Sequence, residues 1–188
     1  MRIKSVRAWW VQFPIEAQQQ HVSDFGRLTT FDAAIVKIET DDGLIGWGEG
    51  KNATGSSGFY GTLVRLINEE FGPRVVGRDP ADITFIWEDL YNGVRSEKAQ
   101  VHGHAMPDLS RRGLTMAAIS AIDIALWDIL GKSQGVPVWK LLGGRKADRL
   151  PAYASGGWAD AENIGDQLNS YIDAGQFQAV KMRVGAMD

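Results

Sequence analysis

Two cations stand two positions apart in the last apolar stretch of the chain, VKMRV at positions 180–184. In an extended segment alternate residues point the same way, so Lys181 and Arg183 share one face, and Val180, Met182 and Val184 share the other. A lysine so placed can carry a proton, because a neighbouring cation and partial burial lower its pKa toward neutrality. An arginine cannot, since a guanidinium stays protonated in a protein. Arg183 is therefore a binder of carboxylate or hydroxyl oxygens, or an electrostatic partner of Lys181. The same spacing suits two charges at a solvated strand end, and the residues alone leave both readings open. Other chemistry-bearing groups are weaker. His102-Gly-His104 with Asp108 has zinc-ligand types, but the polar stretch 95–107 reads better as an oligomer contact or a disordered loop. Gly131-Lys132-Ser133 ends like a phosphate loop, yet the position five before Gly131 is Leu126, inside a helical pattern, so the glycine-rich turn is missing. Gly46-x-Gly48-x-Gly50 lies in a strand and its exit, without the dinucleotide spacing or the helix that must come after it.

Composition excludes several classes. There is no cysteine, which removes disulfides, thiolate metal sites and a cysteine nucleophile. A net charge of −3, from 20 Lys+Arg against 23 Asp+Glu, offers no basic field to nucleic acid. No apolar run is read as reaching the roughly 18 residues of a membrane span. The opening residues 1–4 lead into a polar-interrupted strand, not into a signal peptide's apolar core. The expectation is a cytoplasmic chain with neither nucleic-acid nor membrane partners, in which the sequon Asn52-Ala53-Thr54 is idle. At 188 residues, 44% hydrophobic and 23% charged, it is globular, with one domain or one and a small extra piece.

The elements that must position these groups change grammar along the chain. Residues 3–13, closed by Pro14, then 31–40 and 44–49, joined by the turn Asp41-Asp42-Gly43, read as a three-stranded antiparallel meander. Helices are expected over 62–71, stopped by Gly72-Pro73, over 81–91, opened by Asp79-Pro80, and from Ser110 to about Gly131. The last of these is apolar nearly all round. Leu114, Ala118, Ala121, Ile122, Ala125 and Ile129 lie on one face and Ile119, Ile124 and Trp127 on another, so it should be buried. Asp128 sits four residues before Lys132, close enough to meet it. Beyond Gly143-Gly144 come a strand at 150–154, a helix at 161–174 ended by Gly175, and a strand at 178–184: a βαβ unit with parallel strands. The fold class is thus α+β, followed by the start of an α/β domain. Two parallel strands cannot cover themselves, so the chain reads as truncated at Asp188.

The run AISAIDIALWDILGK at 118–132, followed after four residues by PVWKLLG at 137–143, resembles the signature of the mandelate racemase/muconate lactonizing enzyme family of the enolase superfamily. TDDGLIGWGE at 40–49 is similar to that family's first hairpin, and VKMRVG at 180–185 to its Lys-x-Lys segment on the second barrel strand. The resemblance implies a capping domain over 1–130 (antiparallel meander plus helical bundle), a linker over 131–149, and over 150–188 the first βαβ of a (β/α) TIM-like barrel. On such a strand one face lines the barrel interior, where Lys181 and Arg183 would be catalytic.

The family's shared step is removal of the proton α to a carboxylate, the enediolate being held by Mg²⁺. Its three carboxylate ligands would lie past Asp188, so none of them can be named; Asp160, Glu162, Asp166 and Asp173 belong to the outer face of the first barrel helix. Arg183 stands where the family's usual base would be, which disfavours a racemase using bases on both faces. An acid-sugar dehydratase, with one base from a later strand, fits better. The resemblance also implies two mobile loops that cap the barrel mouth, 15–29 and 50–61. They carry His21, Arg27 and Lys51, all suited to a polyhydroxylated carboxylate; Ser155, just after the first barrel strand, is a further substrate-binding candidate. A small carboxylate substrate and a homo-oligomer are expected. The alternatives are a racemase or cycloisomerase, a non-catalytic fragment that needs the rest of the barrel or a partner, and, more remotely, a zinc hydrolase using His102 and His104.

Overall fold

The computed structural model describes residues 1–17, 20, 22–23, 26–51, 58–92, 112–145, 147–157 and 162–182. They form two compact units: Met1–Pro14 with Thr30–Gly144, and Ile15–Thr29 with Arg145–Asp188.

The strands in chain order are β1 (Ile3–Pro14), β2 (Val22–Ser23), β3 (Gly26–Arg27), β4 (Thr30–Thr40) and β5 (Ile45–Gly50). In the first unit β1, β4 and β5 make the expected antiparallel sheet in the order β1-β4-β5. The register places Val6, Ile38 and Gly46 in one row, Ala8, Val36 and Gly48 in the next, and Trp10, Ala34 and Gly50 in the third. These rows face the core, and along each of them the residue on β5 is a glycine. The reason lies above them, in the 23-residue helix α5 (Arg112–Gln134). A Cβ built on Gly46 would stand 2.1 Å from the Ala125 carbonyl oxygen, one on Gly48 2.0 Å from that of Ala121, and one on Gly50 3.0 Å from that of Ala117. Three glycines at strand period two meet three alanines at helix period four. The Gly-x-Gly-x-Gly run is a seat for a helix backbone.

Asp128 and Lys132 fasten the same contact. One Asp128 oxygen accepts the Trp47 N–H at 2.9 Å and the Lys132 ammonium at 2.7 Å, and Lys132 also donates to the Ile45 carbonyl at 2.7 Å. Ala118, Ile119, Ala121, Ile122, Ala125, Leu126 and Ile129 of α5 are buried in the core. Ile124 is 48% exposed, so the helix is not sealed all round. Contrary to the sequence reading, α5 is long and apolar enough by length and composition to cross a membrane; half of its apolar window is buried inside this unit. The helix runs three residues past Gly131 and stops at Gly135, whose φ of +65° lets the Val136 N–H reach back to the Gly131 carbonyl at 2.9 Å.

A continuous helical stretch packs beside the sheet: α1 (Gly61–Arg65), the π-helical α2 (Leu66–Phe71) and α3 (Gly72–Val75). Gly72-Pro73 does not end it as expected. Pro73 falls in the first turn of α3, where its missing N–H costs nothing, and the stop comes at Gly77, φ +85°. From α2, the Asn68 side-chain amide accepts from the Ala8 N–H at 2.8 Å and donates to the Ala8 carbonyl at 3.0 Å. It thereby covers the open edge of β1. Helix α4 (Ile83–Asn92) begins later than Asp79-Pro80 suggests, because the Asp79 carboxylate accepts the Ala81 N–H at 2.9 Å and closes a turn in place of a helix cap. The short helix α6 (Val138–Leu141) comes after α5 and completes the first unit.

In the second unit, β6 (Ala154–Ser155) and β7 (Val180–Lys181) are parallel, with α7 (Ile164–Gly175) between them in sequence. The βαβ unit is present, but each described strand is two residues long, shorter than the runs at 150–154 and 178–184. A parallel ladder is drawn out by neighbours on both sides, and this pair has none among the described residues. Gln176, at φ 51°, caps α7 in the left-handed conformation.

Candidate active site

Of the sequence candidates, Ser155 and Lys181 are brought together. They are register partners in the parallel β6–β7 pair, and Ala154 partners Val180. The Ala154 N–H donates to the Ala179 carbonyl and the Gly156 N–H to the Lys181 carbonyl, each at 3.1 Å. Register partners in a parallel pair project to one face. The accessibility follows that alternation, with Ser155 and Lys181 exposed and Ala154 and Val180 half-buried. Gly156 identifies the covered face: a Cβ there would stand 2.4 Å from the ring of Tyr171 on α7. Helix α7 therefore lies on the Ala154/Gly156 side, and Ser155 and Lys181 face away from it. A hydroxyl and an ammonium side by side can bind and polarise a carboxylate.

Arg183 and His21 lie outside the described residues, as do the His102, His104 and Asp108 group and Asp160. Arg27 is exposed on β3, paired with Val22 across the β2–β3 ribbon. Lys51 is exposed at the end of β5 in the first unit. Glu162, Asp166 and Asp173 are exposed beside or on α7. Among the described residues no three His, Asp or Glu side chains converge to hold a metal ion. The described side chains therefore do not supply a cradle for Mg²⁺.

Sequence reasoning missed Asp32. It lies on the core face of β4, in line with Ala34, Val36 and Ile38, and is only 7% exposed. Its Oδ1 accepts the Trp10 indole N–H at 3.0 Å; its Oδ2 accepts the Thr30 hydroxyl at 2.8 Å and the Gly58 N–H at 3.1 Å. Burial pushes its pKa up, but hydrogen bonds from Gln12, Thr30, Trp10 and Gly58 outweigh it and hold it at about 2. The signal was available: a charged residue at an in-facing position of a strand whose other in-facing residues are apolar or threonine. Trp10 also meets Phe59 edge-to-face, ring centroids 5.1 Å apart, so residues 58–59 are held from two directions.

Residues 10–143 match the model of the mandelate racemase/muconate lactonizing enzyme N-terminal domain. The chain belongs to this family. Its sheet-and-helix unit is the family's capping domain, and β6 and β7 come after it in the chain. Among curated relatives it is 32% identical to a D-galactarolactone cycloisomerase of Agrobacterium fabrum, over 91% of this chain and 44% of that protein. It is 35% identical to a D-galactonate dehydratase of Variovorax paradoxus, over 79% of this chain and 35% of that one. The chain thus spans less than half the length of these relatives. A solved structure from Roseovarius nubinhibens ISM, in complex with magnesium, superposes with a TM-score of 0.72 at 27% identity, covering 100% of this chain and 45% of the other.

Proposed function

We propose that this chain is the capping domain and first barrel strands of an enzyme that removes the proton α to a carboxylate, and that the reaction is dehydration of a sugar acid. The observation that carries the reading is the placement of Ser155 and Lys181 as register partners on the face of β6–β7 turned away from α7. In a (β/α) barrel the face opposite the helices is the interior, and the chemistry gathers at the strands' C-terminal ends. Lys181 then supplies positive charge beside the substrate carboxylate and Ser155 a hydrogen bond to it. Arg183, whose guanidinium does not deprotonate, binds carboxylate or hydroxyl oxygens. A single base from a later strand removes the α-proton, and the β-hydroxyl leaves as water with the help of an acid. Magnesium, if the complete enzyme holds it as the family does, would offer positive charge to the substrate's carboxylate oxygens, and its ligands would be carboxylates other than those of the described residues.

Support for dehydration comes from Arg183 at the usual base position and from the D-galactonate dehydratase relative. A cycloisomerase or racemase reading draws on the similarity to the D-galactarolactone cycloisomerase. The test is a screen of the complete enzyme against aldonic and aldaric acids, with 2-keto-3-deoxy product measured, for wild type and Lys181→Ala. Dehydration of at least one acid, lost in a folded Lys181→Ala protein, is expected. Racemisation or lactone opening without loss of water would overturn dehydration, and an undiminished Lys181→Ala enzyme would remove Lys181 from the chemistry.

A further inference from the structure

One face of the β1-β4-β5 sheet is filled by α5 and the helices beside it. The opposite face is not polar, as the outer face of an antiparallel sheet ordinarily is. The register sets Arg7, Lys37 and Trp47 in one row on it and Trp9, Ile35 and Glu49 in the next, and Phe13 with Phe31 extends it further along β1 and β4. Trp9, Trp47, Phe13 and Phe31 are each 46–62% exposed. Contiguous apolar surface of this kind marks an interaction site. The sheet's edges are closed to a further strand at their middle. Asn68 holds both the N–H and the carbonyl of Ala8 on β1; on β5, Asp128 accepts the Trp47 N–H and Lys132 donates to the Ile45 carbonyl. A partner is thus steered to the face rather than to an edge.

The charges on the face say what fits it. Arg7 stands on β1 and Glu49 on β5, at opposite margins and one row apart, and neither side chain has an ion-pair partner among the described residues. Lys37, between them on β4, is already bonded to Glu39 at 3.2 Å. A uniformly acidic or basic partner would leave one of the two marginal charges covered and unmet. A face with a cation at one margin and an anion at the other is complementary to itself when turned about a two-fold axis parallel to the strands. That rotation lays β1 of one copy over β5 of the other and keeps each row at its own level. Arg7 then meets the ring of Trp47 and, one row along, the carboxylate of Glu49, and the contact is made twice. We propose that a second copy of this chain docks on this face, sheet on sheet, with Arg7 of each copy set against Trp47 and Glu49 of the other.

Charge reversal tests the pairing. The complete enzyme is followed by sedimentation equilibrium as wild type, Arg7→Glu, Glu49→Arg and the double variant, with the thermal midpoint of each as the check on folding. Wild type should sediment as a dimer or a multiple of one. Each single reversal sets like charges together twice and should raise the dissociation constant of the pair about tenfold or more, whereas the double variant should return to within about threefold of wild type. Trp9→Ser, which removes apolar surface and leaves the charges, should weaken the pair by a similar factor. A monomeric wild type, association untouched by either reversal, or a double variant as weak as the singles would each overturn the proposal. So would reversals that lower the thermal midpoint without changing the mass, since the face would then be covered by residues of its own chain.

Discussion

Gly48 lies directly beneath Ala121: a Cβ on the glycine would stand 2.0 Å from the alanine's carbonyl oxygen and 3.0 Å from the Ala125 nitrogen. Both neighbours are backbone atoms of a buried helix, which cannot swing aside as the tip of a side chain can. Gly48→Ala must therefore push α5 off β5, and overpacking of this kind costs at least about 1–3 kcal/mol. Gly113 provides the contrast, since it sits in the same helix with nothing within 4 Å of its would-be Cβ. Gly113→Ala, in the first turn of α5, should stabilise slightly, by less than the roughly 0.5–1 kcal/mol that a helix-interior site gains. Urea unfolding of the two variants should move the midpoint in opposite directions. A neutral Gly48→Ala would show that the close seat is not what holds the helix.

The same residues show how far the amino-acid order alone carries. The strands are legible because alternation along 31–40 and the Asp41-Asp42-Gly43 turn carry their own signal, and the long helix because its apolar positions recur at helical spacing. Gly46, Gly48 and Gly50, taken as a motif, say only that they do not bind a nucleotide. Their purpose depends on which helix lands on them, and that is a long-range fact. Asp32 is hard to single out although its position on the strand's inward face is visible, because its donors come from Trp10, Thr30 and Gly58, brought together only by folding. Gly72-Pro73 and Asp79-Pro80 are stop and start signals whose local meaning is overridden, one by helical register and the other by a tighter turn.

Asp32 should also leave its mark on acid stability. Its pKa in the fold, about 2 against an ordinary 3.8, is depressed, so folding favours the ionised form. That contribution is complete above the unfolded value and is lost as pH falls through the folded one. The window is therefore roughly pH 4 down to pH 2, with stability decreasing toward acid. Other carboxylates titrate there too, so the informative quantity is the difference between wild type and Asp32→Asn. Wild type should be the more stable at neutral pH, and the gap should narrow as pH drops through this window, measured by urea midpoints at each pH. A gap independent of pH would mean that the charge on Asp32 is not what the donors hold.

Ser155 and Gly156 are adjacent in sequence but face opposite ways, and substitution should separate them. Ser155 shares its face with Lys181, away from α7, so Ser155→Ala removes a hydroxyl without disturbing packing. In the complete enzyme it should raise KM for the sugar acid about ten- to a hundredfold, the range of a single hydrogen bond to a charged group, with kcat and thermal midpoint nearly unchanged. Gly156→Ala points its new methyl at Tyr171, 2.4 Å from the nearest ring carbon, so it should lower the thermal midpoint as the ring is displaced. Steady-state kinetics and thermal melts on the pair decide the matter. If Ser155→Ala destabilises and leaves KM alone, Ser155 belongs to packing, and the face it shares with Lys181 is not the one that meets substrate.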